Sequence, residues 1–192
     1  MEFNPINGYQ IKLSFYYKIK EPEIEKLYGK YFNMVNKNVI YKKEDLGIGT
    51  TDGIIRFYDD SHKLLFWAVQ ETKRDVGVDS VWFGRSLLQA IMYLGNVYYD
   101  TNPLGLDNFK GIFLDSARYF CYVSKEELDP VMELFEPLWH KYYRVRPSEA
   151  YNIPDLADFI PVALYKIKFK HYQLNKEFEL DQFIKNLYEN NI

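Results

Sequence analysis

The stretch that decides the fold is Gly47–Tyr93, which reads GIGTTDGIIRFYDDSHKLLFWAVQETKRDVGVDSVWFGRSLLQAIMY. Its clearest element is a strand over residues 63–73. Apolar residues run without a break from Leu64 to Val69, and polar residues follow them. A continuous apolar run of this length is typical of a strand that is buried on both faces. We therefore predict that this strand lies in the middle of a sheet.

The strand before it is predicted over residues 51–57, with a polar turn at residues 58–62 between the two. A turn this short makes the two strands an antiparallel hairpin, and its pairing brings Asp52 level with the region of Glu71. Alternate residues of a strand share a face, so Glu71 and Lys73 lie side by side. The sequence therefore predicts that two carboxylates and an ammonium meet at one end of the sheet.

A helix is predicted to follow, because apolar residues recur at helical spacing over residues 81–98. Gln89 and Tyr93 are four residues apart and share one face of this helix. We expect that face to lie over the end of the sheet that carries the two carboxylates.

These residue types suit phosphodiester hydrolysis. Carboxylate oxygens are the ligands that Mg²⁺ prefers, with Mn²⁺ as a substitute, and water and phosphate complete the coordination. A bound ion activates water and neutralises charge that develops on phosphorus. A lysine beside the ion can orient the attacking water and offset that charge.

The ordered set of Asp52, Glu71-x-Lys73 and Gln89-x-x-x-Tyr93 resembles the PD-(D/E)xK nuclease superfamily. The resemblance implies that Asp52 and Glu71 bind the metal and that Asp52, Glu71, Lys73 and Gln89 are catalytic. It also implies that Gln89 and Tyr93 contact the substrate. The expected activity is that of a Mg²⁺-dependent DNA endonuclease of restriction or restriction–modification type, with RNA as an alternative substrate.

The resemblance covers residues 21–124 and implies an α/β fold. We expect a restriction-endonuclease-like three-layer α/β/α core with a central mixed sheet. The first helix of the family often carries a further acid, for which Glu25 is the candidate and Glu21 or Glu23 are alternatives. Thr51 stands where the family pattern has proline.

The whole chain is interpreted as a single nuclease-like domain over residues 1–192, with its core at 21–124 and an extension at 125–192. The further predicted elements are a strand or arm at 1–20, a helix from Glu21 to near Asn36, strands at 39–41, 110–116 and 119–124, a helix that starts at Ser124 and is interrupted at Pro137, a loop at 146–154, and helices at 155–164 and 177–190. We also expect this domain to be part of a larger multidomain enzyme.

Composition limits the possible functions. The net charge is −3, whereas proteins that bind nucleic acid by bulk electrostatics are usually basic. The charge therefore favours a nuclease module that other domains or subunits hold on its target. The resemblance implies that such a partner is a methyltransferase, a helicase or a target-recognition domain. No apolar run reaches the length of a membrane span, and the single cysteine fits a reducing compartment, so we expect a cytoplasmic protein without a membrane partner.

Several alternatives stay open. The same fold can serve as a catalytically inactive module that binds nucleic acid or protein. Glu71 and Lys73 can be a solvated strand end, and Gln89 and Tyr93 ordinary helix residues. A row of lysines at residues 166–170 can face DNA or protect an edge strand.

Other features point away from other kinds of site. Gly47-x-Gly49 precedes a strand rather than a helix, which argues against a nucleotide loop. The three histidines lack zinc spacing. Cys121 lies in an apolar strand and is expected to be a buried apolar residue.

Overall fold

The computed structural model describes residues 20–73, 81–100, 106–116, 119–168, 170–173 and 179–190. They form a mixed α/β structure with one six-stranded sheet that has helices on both faces. The arm predicted before residue 20 and the loop predicted at residues 74–80 lie outside the described residues.

The helices are α1 (Glu21–Val35), α2 (Val81–Tyr99), α3 (Lys125–Tyr142), a 3₁₀ helix (Pro147–Asn152), α4 (Pro154–Lys166) and α5 (Glu179–Glu189). The strands are β1 (Val39–Lys42), β2 (Gly53–Tyr58), β3 (Leu64–Thr72), β4 (Phe109–Asp115), β5 (Tyr119–Ser124) and β6 (Lys170–Gln173). Among the core elements, the predicted order of one helix, three strands, a helix and further strands is confirmed.

The strands lie in the sheet in their chain order, from β1 to β6. β3 and β4 are parallel and the other neighbouring pairs are antiparallel, so the sheet is mixed, as predicted. In the β2–β3 hairpin, Gly53 is opposite Gln70 and Ile54 is opposite Val69. Extended by one residue, this register places Asp52 level with Glu71, as we predicted from the short turn.

The core lies on both sides of β3. Phe66 and Ala68 pack towards α1 and α5, whereas Trp67 and Val69 pack towards α2, α3 and α4. All four side chains are 0% exposed. Because apolar residues alternate between two cores, the unbroken apolar run of β3 is what a central strand requires.

Helix α1 begins at Glu21, where the sequence predicts it, with Pro22 in the first turn, and its C-cap is Asn36. Its buried face includes Tyr28 and Phe32, which join the core on that side of the sheet. The helix therefore places its N-terminal acids at the end of the sheet that carries Asp52 and Glu71.

The predicted interruption at Pro137 is wrong, because α3 runs unbroken through Pro130 and Pro137. The buried face of α3 includes Phe135 and Trp139 on either side of Pro137, and the Trp139 ring packs against Gly95 of α2. Burial of this face compensates the backbone hydrogen bond that a proline removes.

Two predictions for the C-terminal extension are also wrong. Residues 146–154 are not a plain loop, because Pro147–Asn152 forms a 3₁₀ helix whose Pro147 and Ala150 are buried. The lysines at residues 166–170 do not share one strand face, because Lys166 ends α4 and Lys170 begins β6. Cys121 is 1% exposed in β5, which confirms the prediction that it is a buried residue.

Candidate active site

Asp52 immediately precedes β2 and is held from two sides. Its Oδ2 accepts a hydrogen bond from the backbone N–H of Thr72 at 2.8 Å, and its carbonyl oxygen accepts one from the Tyr41 hydroxyl. The Tyr41 ring fits between Gly29 and Gly53, where an added Cβ would come within 2.7 Å and 2.2 Å of ring atoms. These two glycines therefore allow the close approach that brings Tyr41 to Asp52.

Glu71 is 0% exposed, near the C-terminal end of β3. Its Oε1 accepts a hydrogen bond from Lys73 Nζ at 2.5 Å. Its Oε2 is also buried and has no hydrogen-bond partner among the residues that the structure describes. A buried carboxylate oxygen without a partner is costly in free energy, which makes Oε2 a candidate acceptor for a further donor or a cation.

Lys73 lies among three carboxylates. Its Nζ is 2.5 Å from Glu71 Oε1, 3.3 Å from Glu21 Oε1 and 3.9 Å from Asp52 Oδ2. One ammonium is shared, so the cluster carries two uncompensated negative charges when all three acids are ionised. We call Glu21, Asp52, Glu71 and Lys73 the Asp52 cluster.

The pKa values in the Asp52 cluster reflect this excess of carboxylates. Burial raises the pKa of Asp52 to about 6, although Lys73 and the Thr72 N–H act against it. Burial, and then the charge of Asp52, raise the pKa of Glu71 well above its ordinary value. Burial by itself lowers the pKa of Lys73, but the charges of Glu71 and Asp52 outweigh it and raise that pKa overall. The lysine therefore keeps its proton while the carboxyl groups compete to bind one.

Gln89 and Tyr93, the two residues predicted to share a face of α2, lie beside the backbone that leads to Asp52. The Tyr93 hydroxyl donates to the carbonyl oxygen of Thr50 at 2.9 Å, and the Gln89 side chain is hydrogen-bonded to Tyr93. Burial and then the charge of Glu71 raise the pKa of Tyr93 to about 12, which places its hydroxyl within the field of the cluster. Tyr93 thus supports the backbone that leads to Asp52, and its partner Gln89 is half-buried.

The three candidate acids of the first helix are in different surroundings. Glu21 contacts Lys73, as described above. Glu25 is 7% exposed and forms an ion pair with Lys43, and Glu23 accepts a hydrogen bond from the backbone N–H of Lys20 at 2.9 Å. Glu21 is therefore the acid of α1 that joins the site, although Glu25 also contributes to the raised pKa of Asp52.

Asp115 is a residue near the site that the sequence analysis missed. Its Oδ1 accepts a hydrogen bond from Thr72 Oγ1 at 2.6 Å, and its Oδ2 accepts one from Gln70 Nε2. Its carbonyl oxygen accepts from the backbone N–H of Lys73 at 2.9 Å. We call Gln70, Thr72 and Asp115 the Asp115 cluster; it lies on the face of the sheet opposite Glu71, because Gln70 and Thr72 alternate with it along β3. The available signal was that Asp115 ends a strand parallel to β3, but this pairing was not predicted.

The residues present fit a hard divalent cation. Asp52 and Glu71 offer carboxylate oxygens, and Glu71 Oε2 has no other described partner. Within the described ranges, no three His, Cys, Asp or Glu side chains are arranged to hold a metal by themselves. A bound ion at this site would therefore use the two carboxylates and take its remaining ligands from water and phosphate.

No family model matches the chain, and no similar curated protein or solved structure was found. None of the helices in the described part of the chain combines the length and apolar character that crossing a membrane requires.

Proposed function

We propose that this chain is a Mg²⁺-dependent endonuclease domain that hydrolyses DNA phosphodiester bonds, with a restriction-endonuclease-like fold of the PD-(D/E)xK type. The observation that carries the proposal is the Asp52 cluster, in which carboxylates outnumber ammonium groups in a buried setting. The excess negative charge favours the binding of a cation, and so does Glu71 Oε2, which has no hydrogen-bond partner among the described residues. The cluster also follows the acid–ExK order of that superfamily along a β hairpin.

Asp52 and Glu71 are the residues that would hold the ion. A bound ion would lower the pKa of a coordinated water and neutralise charge on the scissile phosphate. Lys73 is positioned to orient the water nucleophile and to stabilise negative charge in the transition state. Gln89 would orient the substrate at the open side of the site, and Tyr93 keeps the loop before Asp52 in place.

The domain is proposed to act as the cleavage module of a larger restriction or restriction–modification enzyme. Its net charge of −3 gives little long-range attraction for DNA. A methyltransferase, helicase or target-recognition domain would then supply the search for the target.

A test is the cleavage of supercoiled plasmid DNA, with a structured RNA in parallel, in Mg²⁺, in Mn²⁺ and in EDTA. We expect nicking or linearisation of the plasmid only with the metal ions. Glu71→Gln should abolish it, whereas Glu133→Gln, at an exposed acid on α3, should have no effect. The absence of metal-dependent cleavage, or full activity of Glu71→Gln, would contradict the proposal and favour a non-catalytic binding module.

A further inference from the structure

The end of α3 and the turn after it carry a basic and aromatic segment that no step of the proposed chemistry uses. Residues 141–146 read KYYRVR. Lys141 pairs with Asp155 at 2.6 Å, and the Tyr142 hydroxyl donates to the same carboxylate at 2.6 Å. This pairing neutralises Lys141, so the positive charge of the segment comes from its two arginines.

Both arginines are exposed, and neither is firmly paired with an acid. Arg144 Nε donates to the Tyr143 hydroxyl at 2.9 Å, and within the described ranges no carboxylate lies at ion-pair distance from Arg144. Arg146 is 3.8 Å from Glu149, with side chains that are 79% and 60% exposed. An exposed pair at this distance contributes little, so both guanidinium groups can bind an external anion.

Two contacts connect this segment to the candidate site. Pro147, the residue after Arg146, lies against Gly49, which has a φ of 148° and also packs beside the Tyr93 ring. In the same 3₁₀ helix, the Tyr151 ring lies under the guanidinium of Arg85, 3.7 Å from its centroid. Arg85, Gln89 and Tyr93 are spaced by four residues and share one face of α2. Through Pro147 and Tyr151, the 3₁₀ helix therefore connects the chain that carries the two arginines to the face of α2 that carries Gln89 and Tyr93.

We propose that Arg144 and Arg146 bind the phosphodiester backbone of duplex DNA and place it over the candidate active site. This inference rests on the proposed function, because it takes the Asp52 cluster as the point of cleavage. A guanidinium presents several N–H donors in a plane that matches two phosphate oxygens, and the adjacent Tyr143 supports the side chain of Arg144. Such contacts carry no base information, so the binding is independent of sequence.

The test is the salt dependence of DNA binding, measured with the full chain carrying Glu71→Gln so that cleavage does not interfere. A random-sequence duplex is titrated at several salt concentrations without divalent ions. We expect dissociation constants in the non-specific range of roughly 10⁻⁴–10⁻⁶ M. Each phosphate contact contributes about 0.9 to the slope of log affinity against log salt. Arg144→Gln with Arg146→Gln should therefore reduce that slope by about 1.8, and Arg144→Lys with Arg146→Lys should retain it.

The matched control is Lys37→Gln with Lys185→Gln. Lys37 is exposed and Lys185 is half-buried, and both have acidic neighbours at 3.8 Å, but they lie on the side of the sheet that carries α1 and α5. The control should keep the parental slope, and thermal unfolding should show that all variants are folded. An unchanged slope in the double arginine variant, an equal reduction in the lysine control, or no binding by the parent at low salt would overturn the proposal.

Cleavage assays with chains that keep Glu71 separate this inference from the proposed function. Arg144→Gln with Arg146→Gln should raise KM for a long duplex and leave kcat unchanged, since these residues lie outside the Asp52 cluster. Metal-dependent cleavage with an arginine-independent slope would overturn only the DNA-binding surface. An arginine-dependent slope without cleavage would overturn only the enzymatic activity.

Discussion

Two polar clusters lie at the same end of β3, and they take their β3 side chains from opposite faces of the sheet. The Asp115 cluster, on the α1 face, joins one carboxylate to the neutral donors of Thr72 and Gln70. The Asp52 cluster is built around Glu71 on the α2 face, also includes Glu21 from α1, and joins three carboxylates to one ammonium. Consecutive residues of one strand thus contribute to two buried sites of different composition.

Under the proposed function, the Asp115 cluster stabilises the fold and the Asp52 cluster binds a ligand. Both carboxylate oxygens of Asp115 accept hydrogen bonds from within the protein, and these bonds fix the end of β3 to β4. Gln70 Oε1 has no described partner, and burial raises the pKa of Asp115 well above its usual range. Glu71 Oε2 has no described partner, and the negative charges around it repel one another. Under the proposed function, the repulsion among these carboxylates lowers the stability of the free protein, and a bound cation would restore it.

The largest expected effect is on catalysis and concerns Lys73. Lys73→Ala should reduce single-turnover cleavage by about 10²–10³-fold, because it removes a charge placed at the transition state. The metal-induced rise in Tm should change little, because both carboxylates remain. The matched control is Lys30→Ala on the exposed side of α1. A parental cleavage rate in Lys73→Ala would place this lysine outside the chemistry.

The pH dependence of the free energy of unfolding should show that burial disfavours the ionised form of Asp52. The pKa of Asp52 is raised from 3.8 to about 6 on folding, so the folded state binds this proton more tightly than the unfolded state. Its contribution to stability is full below about pH 4 and is lost as the pH rises through 6, with a magnitude of up to about 3 kcal/mol.

The measurement is the free energy of unfolding in urea between pH 4 and pH 8, for the parent and for Asp52→Asn without metal. The difference between the two curves should favour the variant increasingly up to pH 7. A parent that gains stability relative to Asp52→Asn over this range would show that the ionised carboxylate is already well compensated.

The Asp115 cluster should respond in the opposite way. Asp115→Ala removes the acceptor for the Thr72 hydroxyl and the Gln70 amide, and we expect it to lower the free energy of unfolding by about 2 kcal/mol. Asp115→Asn should be milder, because Gln70 Oε1 has no described partner and a rotated Gln70 amide can accept from the new Asn.

Urea unfolding of these variants beside Glu71→Gln compares the two clusters directly. Glu71→Gln should leave stability unchanged or raise it, since it removes a buried negative charge. If Glu71→Gln proves more destabilising than Asp115→Ala, the assignment of a structural and a functional cluster is reversed.

The smallest expected effect concerns Tyr93. Tyr93→Phe removes the hydrogen bond to the Thr50 carbonyl and should lower the free energy of unfolding by about 1 kcal/mol. Cleavage should fall modestly because the backbone before Asp52 is less firmly held. Loss of activity as complete as in Glu71→Gln would indicate that the hydroxyl acts directly on the substrate.

Local patterns predicted the hairpin that builds the Asp52 cluster, because a short turn fixes the register and strand alternation fixes the faces. The spacing of Gln89 and Tyr93 likewise placed both residues over the site. The roles of Asp115 and Tyr41 depend on contacts between elements distant in sequence, which no local pattern encodes. The continuity of α3 through Pro137 was not predicted either, since it depends on the packing of its buried face.

The most direct test of the central claim is metal binding followed by thermal unfolding, with Mg²⁺ and Mn²⁺ titrated into the parent, Asp52→Ala and Asp115→Asn at pH 7. The parent should gain Tm with metal concentration, because an ion that binds the folded state stabilises it by mass action. Asp52→Ala should remain folded and lose this gain, and Asp115→Asn should keep it. No metal-dependent gain in the parent, or a gain that survives Asp52→Ala, would show that the Asp52 cluster does not bind a divalent cation.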